Sequence, residues 1–439
     1  MTLECLLPSF QGPDVPDWVR RLIADGLGGV VLFASNIRDP EQLARLTSEL
    51  RAENDTLLIA LDEEGGDVTR LHAATGSPYP GNAALGAVDD LELTERVAAS
   101  IGAELAAVGV NLDFAPVADV NVDPANPVIG VRSFSADAEL VARHVGAYVT
   151  GLQSTGVAGC AKHFPGHGAT DRDSHLELAT VAGDVADGLP PFRAAIDAGV
   201  QSIMTAHVRV PSLGDHPATV NPRVLALLRD ELGYDGLVIS DACEMKGLSE
   251  AVGLAGGAAR ALEAGVDALI VGRDQGENEV ARVRDAIAAR VSEERLVEAA
   301  ERVRRVAAWA LPRPGVVDVG AGREAARRAL HAEGDVVLDR APEIVELAAE
   351  ANIAAGRPTH SLADILPSHA GGRLVLVVRD AHRHPSMRER VEAHPDAIVV
   401  ETGLPHWRPT AVRGYVATYG GSRASLEAVA ELLAAQVPA

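Results

Sequence analysis

The segment KHFPGHGATDRDSH, residues 162 to 175, carries the densest group of reactive side chains in the sequence. It places three histidines, one lysine and two aspartates within fourteen residues, and its proline and two glycines predict a loop with rigid corners. Asp173 precedes His175 by two residues, close enough to hold the imidazole ring in one orientation and to favour its protonated form. An oriented imidazole that keeps a proton available is typical of a general acid and base.

The same loop also offers ligands of the kind that zinc accepts, namely His163, His167, Asp171 and His175. Their spacings match no zinc-binding pattern, so we expect neither a metal ion nor another cofactor. Metal-dependent hydrolysis stays as an alternative, and insensitivity of the activity to chelators distinguishes the two.

Two further segments place carboxylates at the ends of apolar strands. The run GLVISD ends on Asp241, where an ionised carboxylate is costly unless its neighbours stabilise it, and this makes Asp241 a functional candidate. The segment LDEEGGDVTRLH gives Asp62 at a strand end, two glycines that let the backbone approach a ligand, and Arg70 nearby. By itself this second pattern is also typical of a capped turn.

Short apolar runs alternate with amphipathic segments and predict the elements that position these residues. Seven runs are expected to be buried parallel strands, and they lie at residues 28–33, 57–62, 111–117, 156–164, 202–208, 236–241 and 268–272. The alternation, over about 300 residues, predicts an α/β fold, a (β/α)8 TIM-like barrel rather than an open doubly wound sheet, although an eighth strand is not evident. Reactive residues that follow the strands then share one rim: Asp62, Glu63, Asp113, Asp119, Lys162, His163, His207 and Asp241.

Prolines and glycines in LPRPGVVDVG, residues 311 to 320, predict a linker after the barrel. Beyond it, the runs RLVLVV, AIVV and GYVATYG, each next to a helical pattern, predict a second, smaller α/β domain. We therefore expect a catalytic domain at 1–312 and a small domain at 313–439. Residues 420–422 precede a helix and are interpreted as a capped turn rather than a ligand cradle.

Composition excludes several classes of partner. The chain has 62 acidic and 39 basic side chains, and the net charge of -23 repels phosphate backbones and anionic lipids, so nucleic acid is not expected as a partner. No apolar run reaches about eighteen residues and the first residues do not resemble a secretory signal, so we expect a cytoplasmic protein without a membrane span. Cys5, Cys160 and Cys243 form no paired motif and are expected to be buried free thiols.

Several motifs together resemble those of glycoside hydrolase family 3, and within it the beta-N-acetylglucosaminidase branch. The run KHFPGHG is followed after four residues by DSH, which is typical of that branch. The sequence also contains, in the same order as the family, an element near Phe10 and Gly12, D-x-E-G-G, NLDFAPVADV, the arginine of GVRSF, MTAHV and VISD. The resemblance covers about residues 1 to 310.

The resemblance implies a retaining exo-glycosidase that acts on terminal beta-linked N-acetylglucosamine through a covalent glycosyl-enzyme intermediate. Asp241 matches the family nucleophile, and His175, oriented by Asp173, matches the acid/base of this branch. The residues that match sugar-holding positions are Asp62, Arg70, Arg132, Lys162 and His163. The implied substrate is an N-acetylglucosamine-containing glycan or glycopeptide, in cell-wall (peptidoglycan) recycling or chitooligosaccharide breakdown.

Departures from the family pattern and alternative functions stay open at this stage. Asp67 stands where the family's E-G-G-R pattern has arginine, and Cys243 and Glu244 follow the predicted nucleophile, which leaves fine specificity undecided. Phosphorolysis is one alternative, because a histidine acid/base does not repel phosphate as a carboxylate does. A non-catalytic sugar-binding protein is another, and we expect the second domain to be structural or dimerising.

Overall fold

The computed structural model describes residues 1–170, 172–272, 276–347, 354 and 360–434. Its first part contains a sheet of eight parallel strands, which are β1 Leu6–Pro8, β2 Gly29–Val31, β3 Leu58–Leu61, β4 Leu112–Asp113, β5 Ala158–Phe164, β6 Ser202–Thr205, β7 Leu237–Ser240 and β8 Leu269–Val271. Two shorter strands, Ala179–Thr180 and Val208–Arg209, form a separate parallel pair. Strands β2 to β7 pair in sequence order. Strand β1 pairs with β8, and single bridges join β1 to β2 and β7 to β8, so the sheet closes on itself.

The closed sheet confirms the predicted barrel. Each of the seven predicted strands is present, and the strand that the sequence did not reveal is β1, paired through Leu6 with Leu269. Both faces of these strands are buried, which explains why they appear as continuous apolar runs rather than alternating ones.

Helices follow the barrel strands, and they are α1 Asp17–Ala24, α2 Pro40–Glu53, α3 Asn82–Val88, α4 Leu91–Ala107, α5 Ala138–Gln153, α6 Pro190–Asp197, α7 Pro222–Ala226, α8 Lys246–Val252, α9 Leu254–Ala264, α10 Glu277–Arg290 and α11 Glu293–Trp309. Local sequence explains where they begin. In α2 the Asp39 carboxylate accepts the Gln42 backbone N–H at 2.7 Å and Pro40 occupies the first turn. Leu43, Leu46 and Leu50 then recur on the buried face.

The second part of the chain forms a smaller α/β unit, as predicted, and we call it the second domain. Its strands are β9 His331–Gly334, β10 Pro342–Glu346, β11 Arg373–Val378, β12 Ile398–Glu401 and β13 Gly414–Ala417, in the spatial order β9-β13-β12-β11-β10. Only β9 is antiparallel to its neighbour among these described strands. Its helices are α12 Val319–Ala329, α13 Leu362–Ile365, α14 Pro385–Glu392 and α15 Arg423–Ala434.

Helix α12 joins the two parts through small side chains. Ala321 and Ala325 belong to the barrel's hydrophobic core, whereas Ala326 packs with Ala424 and Ala428 of α15. Alanine at these positions lets the helix approach both neighbours closely, so the second domain packs directly on the barrel.

Two further properties follow from the described part of the chain. None of its helices combines the length and the apolar character that crossing a lipid bilayer requires. Cys5, Cys160 and Cys243 are free and buried, as the sequence predicted.

Candidate active site

The carboxyl ends of the barrel strands bring most of the predicted site residues together in one network of charges. Asp62 follows β3, Lys162 and His163 lie in β5, and Asp241 follows β7. Lys162 is at its centre and is 1% exposed. Its Nζ lies 2.6 Å from Asp62 Oδ1 and 2.7 Å from Glu64 Oε1, so one buried ammonium joins two carboxylates.

Two arginines complete this network. Arg70 Nη2 lies 3.1 Å from the second oxygen of Asp62. Arg132 donates from Nε to Glu64 Oε2 at 3.0 Å and from Nη2 to Glu64 Oε1 at 2.7 Å, which is the bidentate geometry of a strong arginine–carboxylate pair. Burial opposes ionisation of Glu64, but Arg132 and Lys162 outweigh it and hold its pKa at about 2. Burial also raises the pKa of Asp62, but Lys162 and Arg70 outweigh burial and hold that pKa well below its usual range. Both carboxylates of the network are therefore ionised at neutral pH.

His163 is fixed by a carboxylate that follows the neighbouring strand. Asp119 Oδ2 accepts a hydrogen bond from His163 Nδ1 at 2.7 Å, and its other oxygen accepts the His167 backbone N–H at 2.6 Å. The opposite ring nitrogen, Nε2, lies 3.4 Å from Arg132 Nη2. Asp119 therefore orients His163 and also anchors the start of the reactive loop.

The predicted acid/base pair is formed within that loop. Asp173 Oδ1 accepts both the His175 Nδ1–H at 2.7 Å and the His175 backbone N–H at 2.8 Å. Burial raises the pKa of Asp173, but the hydrogen bond from His175 outweighs it and the pKa is lowered. The His175 side chain is a quarter exposed, at 25%, and its Nε2 is the nitrogen left to face a ligand.

Residues around this pair hold the loop in place. Ser174, which lies between them, bonds through Oγ to His167 Nε2 at 2.8 Å, and its carbonyl accepts the Gly247 N–H. His167 is buried, and burial lowers its pKa to about 4, so this ring is neutral and structural.

Asp241 lies at the end of β7 and is surrounded by imidazoles. Burial by itself raises the pKa of Asp241, but its electrostatic interactions with His163, His207 and His175 in their protonated forms outweigh burial, and the pKa is lowered. One of its oxygens accepts the Ala242 N–H at 2.7 Å. An ionised carboxylate that shares its surroundings with an oriented imidazole can act as a nucleophile while the imidazole moves a proton.

His207 is fully buried and bonds to the backbone next to Asp241. Its Nε2 lies 3.0 Å from the Ala242 carbonyl oxygen and its Nδ1 lies 2.8 Å from Thr219 Oγ1. Burial lowers the pKa of His207, so the ring is neutral at physiological pH. It holds the backbone that carries Asp241.

Glu63 and Asp113, which the sequence placed on the same rim, bond to backbone N–H groups rather than to the charged side chains of the network. Both are fully buried, and burial raises the pKa of each. Asp113 Oδ1 accepts the Glu63 N–H at 2.9 Å, and Glu63 Oε2 accepts the backbone N–H groups of Arg70 and Leu71. These two carboxyl groups shape the loop after β3.

The structure adds Glu64 to the predicted set. Its side chain holds two of the predicted sugar-binding cations, Arg132 and Lys162. The available signal was the D-x-E-G-G pattern itself, which specifies the acid at position 64 and leaves position 63 open, together with the two glycines that let the chain turn.

The alternative zinc site does not form among the described residues, where no group of three His, Cys, Asp or Glu side chains is placed to hold a metal ion. The rings of His163, His167 and His175 bond to three different partners. Asp171, the fourth proposed ligand, lies outside the described residues.

Comparisons with known proteins identify relatives of this architecture. The model of the glycosyl hydrolase family 3 N-terminal domain matches residues 14–306. The chain is 39% identical over 284 residues to a beta-hexosaminidase of Thiobacillus denitrificans, a match that spans 62% of this chain and 79% of the relative. It is 37% identical over 269 residues to beta-hexosaminidase A of Pseudoalteromonas piscicida, which spans 55% of this chain but only 45% of the relative's length.

One solved structure is similar to the whole described molecule. The glycoside hydrolase family 3 beta-N-acetylglucosaminidase of Paenibacillus sp. str. FPU-7 superposes with a TM-score of 0.87 at 31% identity. The match covers 100% of this chain and 96% of that one, so it includes the second domain as well as the barrel.

Proposed function

The chain belongs to glycoside hydrolase family 3, and on this premise we propose that it is a retaining exo-beta-N-acetylhexosaminidase that removes terminal beta-linked N-acetylglucosamine. The observation that carries the proposal is the 2.7 Å hydrogen bond between His175 and Asp173, beside an Asp241 carboxyl whose pKa a protonated His175 helps to lower. The names of the relatives support the substrate class.

In the first step Asp241 attacks the anomeric carbon while His175 donates a proton from Nε2 to the glycosidic oxygen. The bond between the anomeric carbon and that oxygen breaks, and an ester between the sugar and Asp241 forms. Asp173 holds the opposite nitrogen of the ring, so the proton that leaves comes from the side that faces the substrate.

In the second step His175, now neutral, takes a proton from water, and the water oxygen attacks the anomeric carbon. Asp241 leaves as the carboxylate that its imidazole neighbours stabilise. Two inversions at the same carbon give net retention of the beta configuration.

The sugar-holding residues are Asp62, Arg70, Arg132, Lys162 and His163. Their charges are already paired with each other or with Glu64 and Asp119, and the remaining donor and acceptor positions suit sugar hydroxyls, each of which both donates and accepts. We propose an N-acetylglucosamine-containing glycan or glycopeptide as the substrate, in peptidoglycan recycling or chitooligosaccharide breakdown. A cytoplasmic location is proposed with it, supported by three buried thiols that form no disulfide.

The proposal is tested by the first product formed from an aryl beta-N-acetylglucosaminide, followed by proton NMR before the anomers equilibrate. Release of the beta anomer of free N-acetylglucosamine supports a retaining hydrolase, whereas the alpha anomer contradicts the double displacement. The same reaction with added inorganic phosphate tests phosphorolysis, because N-acetylglucosamine 1-phosphate then appears in place of the free sugar.

The acid/base assignment has its own test in His175→Ala. We expect turnover of a substrate with a poor leaving group to fall by about 10²- to 10⁴-fold, while a nitrophenyl glycoside, whose leaving group needs no proton, loses far less in the glycosylation step. His216→Ala, which replaces an exposed histidine in the loop after β6, is the matched control. Equal losses on both substrates would show that His175 is not the acid.

A further inference from the structure

The second domain contacts the barrel at the loop that follows β3, residues 62–80, which we call the β3 loop. Arg379 Nη2 lies 2.6 Å from Asp67 Oδ2, and the Gly421 N–H donates to Asp67 Oδ1 at 2.9 Å. Further along the loop, the Ala424 N–H donates to the Ser77 carbonyl at 3.2 Å. Asp67 thus accepts two hydrogen bonds from the second domain, and the donors of all three contacts belong to that domain.

Asp67 occupies the tip of a tight turn. The Glu64 N–H donates to the Val68 carbonyl at 3.0 Å, and Gly65 and Gly66 between them have φ of 75° and 63°. The turn also approaches the barrel closely on its other side, because a Cβ on Gly66 would lie 2.8 Å from the Cα of Gly81. The tip is therefore held between Gly81 and the second domain.

The two ends of this turn carry parts of the sugar-binding network. Glu64, three residues before Asp67, pairs with Lys162 and Arg132. Arg70, three residues after it, pairs with Asp62. A displacement at the tip of so short a turn changes the positions of both ends.

The arginine that reaches the tip is itself held firmly. Asp67 is the largest influence that raises the pKa of Arg379 above its usual range, and the Asp67 side chain is only 9% exposed. The backbone directly after Arg379 is fixed by Glu401, whose Oε1 accepts the N–H groups of Asp380 and Gly403. The pair is therefore partly desolvated and rigid at both ends.

We propose that Arg379, acting through Asp67, is a positioning residue that holds the β3 loop in the geometry in which Glu64 and Arg70 serve the sugar. The second domain then has a part in substrate binding through the barrel loop that it holds. This also gives a physical reason for the acidic residue at position 67, where the family pattern has arginine: the cation at this place comes from the second domain. The inference rests on the proposed sugar-binding role of the network.

The test compares Arg379→Met with Arg373→Met in the full chain. Arg373 is the first residue of β11, the strand that Arg379 follows, and it pairs with Asp339, whose side chain is 49% exposed, so it controls for loss of an arginine ion pair in the second domain. For Arg379→Met we expect KM for an aryl beta-N-acetylglucosaminide to rise about tenfold while kcat changes less than about threefold, because binding geometry is lost and the reacting groups remain. Arg379→Lys should recover part of the loss, and Arg373→Met should leave both constants unchanged.

Amide hydrogen exchange on peptides from the β3 loop separates this inference from the proposed function, because it needs no substrate. Exchange should be faster in Arg379→Met and unchanged in Arg373→Met. An inactive wild-type protein with this exchange pattern would refute the proposed function but support the role of Arg379 in holding the β3 loop. Unchanged exchange, an unchanged KM, or a fall in kcat alone would overturn the role of Arg379.

A double-mutant cycle with Asp67→Asn checks that the effect passes through Asp67. Asparagine keeps an acceptor oxygen for the Gly421 N–H but removes the charge that Arg379 faces. The effect of Arg379→Met on KM should largely vanish in the Asp67→Asn background. Additive effects on KM would show that Arg379 acts by another route and would overturn the proposal.

Discussion

Glu64 is a buried anion between two cations, and Glu64→Gln should therefore cost much of the stability that the network supplies. The pKa of Glu64 falls from 4.5 to about 2 on folding, which corresponds to roughly 3 kcal/mol of stability at pH 7, at about 1.4 kcal/mol for each tenfold change in ionisation. The glutamine amide also meets the Nε–H of Arg132, a donor facing a donor, which adds about 1–3 kcal/mol that does not depend on pH.

The pH dependence of this loss has a definite sign. A carboxyl group with a lowered pKa in the folded state stabilises the protein above its unfolded pKa, and the contribution is lost as the pH falls through the folded pKa. The window for Glu64 is therefore about pH 4.5 to 2. Its ionisation supplies roughly 3 kcal/mol at pH 7 and roughly 1 kcal/mol at pH 3, and glutamine supplies none at either pH.

Equilibrium urea unfolding of wild type and Glu64→Gln at pH 7, 4 and 3, followed by far-UV circular dichroism, measures this difference. Glu49→Gln is the control, because Glu49 pairs with Arg20 at the surface and its side chain is 52% exposed. That control should change the free energy of unfolding by less than about 1 kcal/mol at each pH. A difference for Glu64→Gln that stays constant from pH 7 to pH 3 would refute the linkage to its lowered pKa.

Three other changes give separate tests. Asp241→Asn should lower kcat on an aryl beta-N-acetylglucosaminide by at least about 10⁴-fold, whereas Asp55→Asn, at an exposed position, should not change it; residual turnover near wild type would exclude Asp241 as the nucleophile. Gly66→Ala should lower the free energy of unfolding by more than about 2 kcal/mol because its Cβ meets Gly81, whereas Gly26→Ala, with a similar positive φ and open space around it, should cost only about 1 kcal/mol in the same urea experiment. Dialysis against a chelator should leave kcat/KM unchanged, since the loop histidines bond to protein partners, and activity restored only by added zinc would contradict this.

The barrel could be predicted because its strands are buried on both faces and so appear as apolar runs. Strand β1 escaped detection because it has three residues and ends at Pro8, too short for a pattern to be recognised. Its partner, β8, is nearly the whole barrel away in sequence, and only closure of the sheet shows that Leu6–Pro8 is a strand. Short strands that depend on a distant partner carry little local signal.

The site was predictable where neighbours in sequence are also neighbours in space. Asp173 and His175 are two residues apart, and their contact followed from spacing alone. Glu63 was expected on the rim, yet Glu64, the acid that the D-x-E-G-G pattern specifies, is the one that pairs with Arg132 and Lys162. The pairing of Asp67 with Arg379 spans 312 residues and requires the packing of two domains, so no local pattern could indicate it.

The ion pairs in this network explain how charged side chains could bind the proposed ligand, an uncharged sugar. A sugar hydroxyl cannot neutralise a buried ammonium, so a lone Lys162 facing it would lose its hydration without a compensating charge. Here Asp62 and Glu64 already accept two of its N–H groups, and Arg132 and Arg70 balance those carboxylates in turn. Folding has therefore already compensated the desolvation of these charges, and under the proposed function the remaining donors and acceptors can bind sugar hydroxyls without moving a charge. Removal of any one ion leaves its partner unbalanced, which is why loss of binding and loss of stability should accompany each other at these positions.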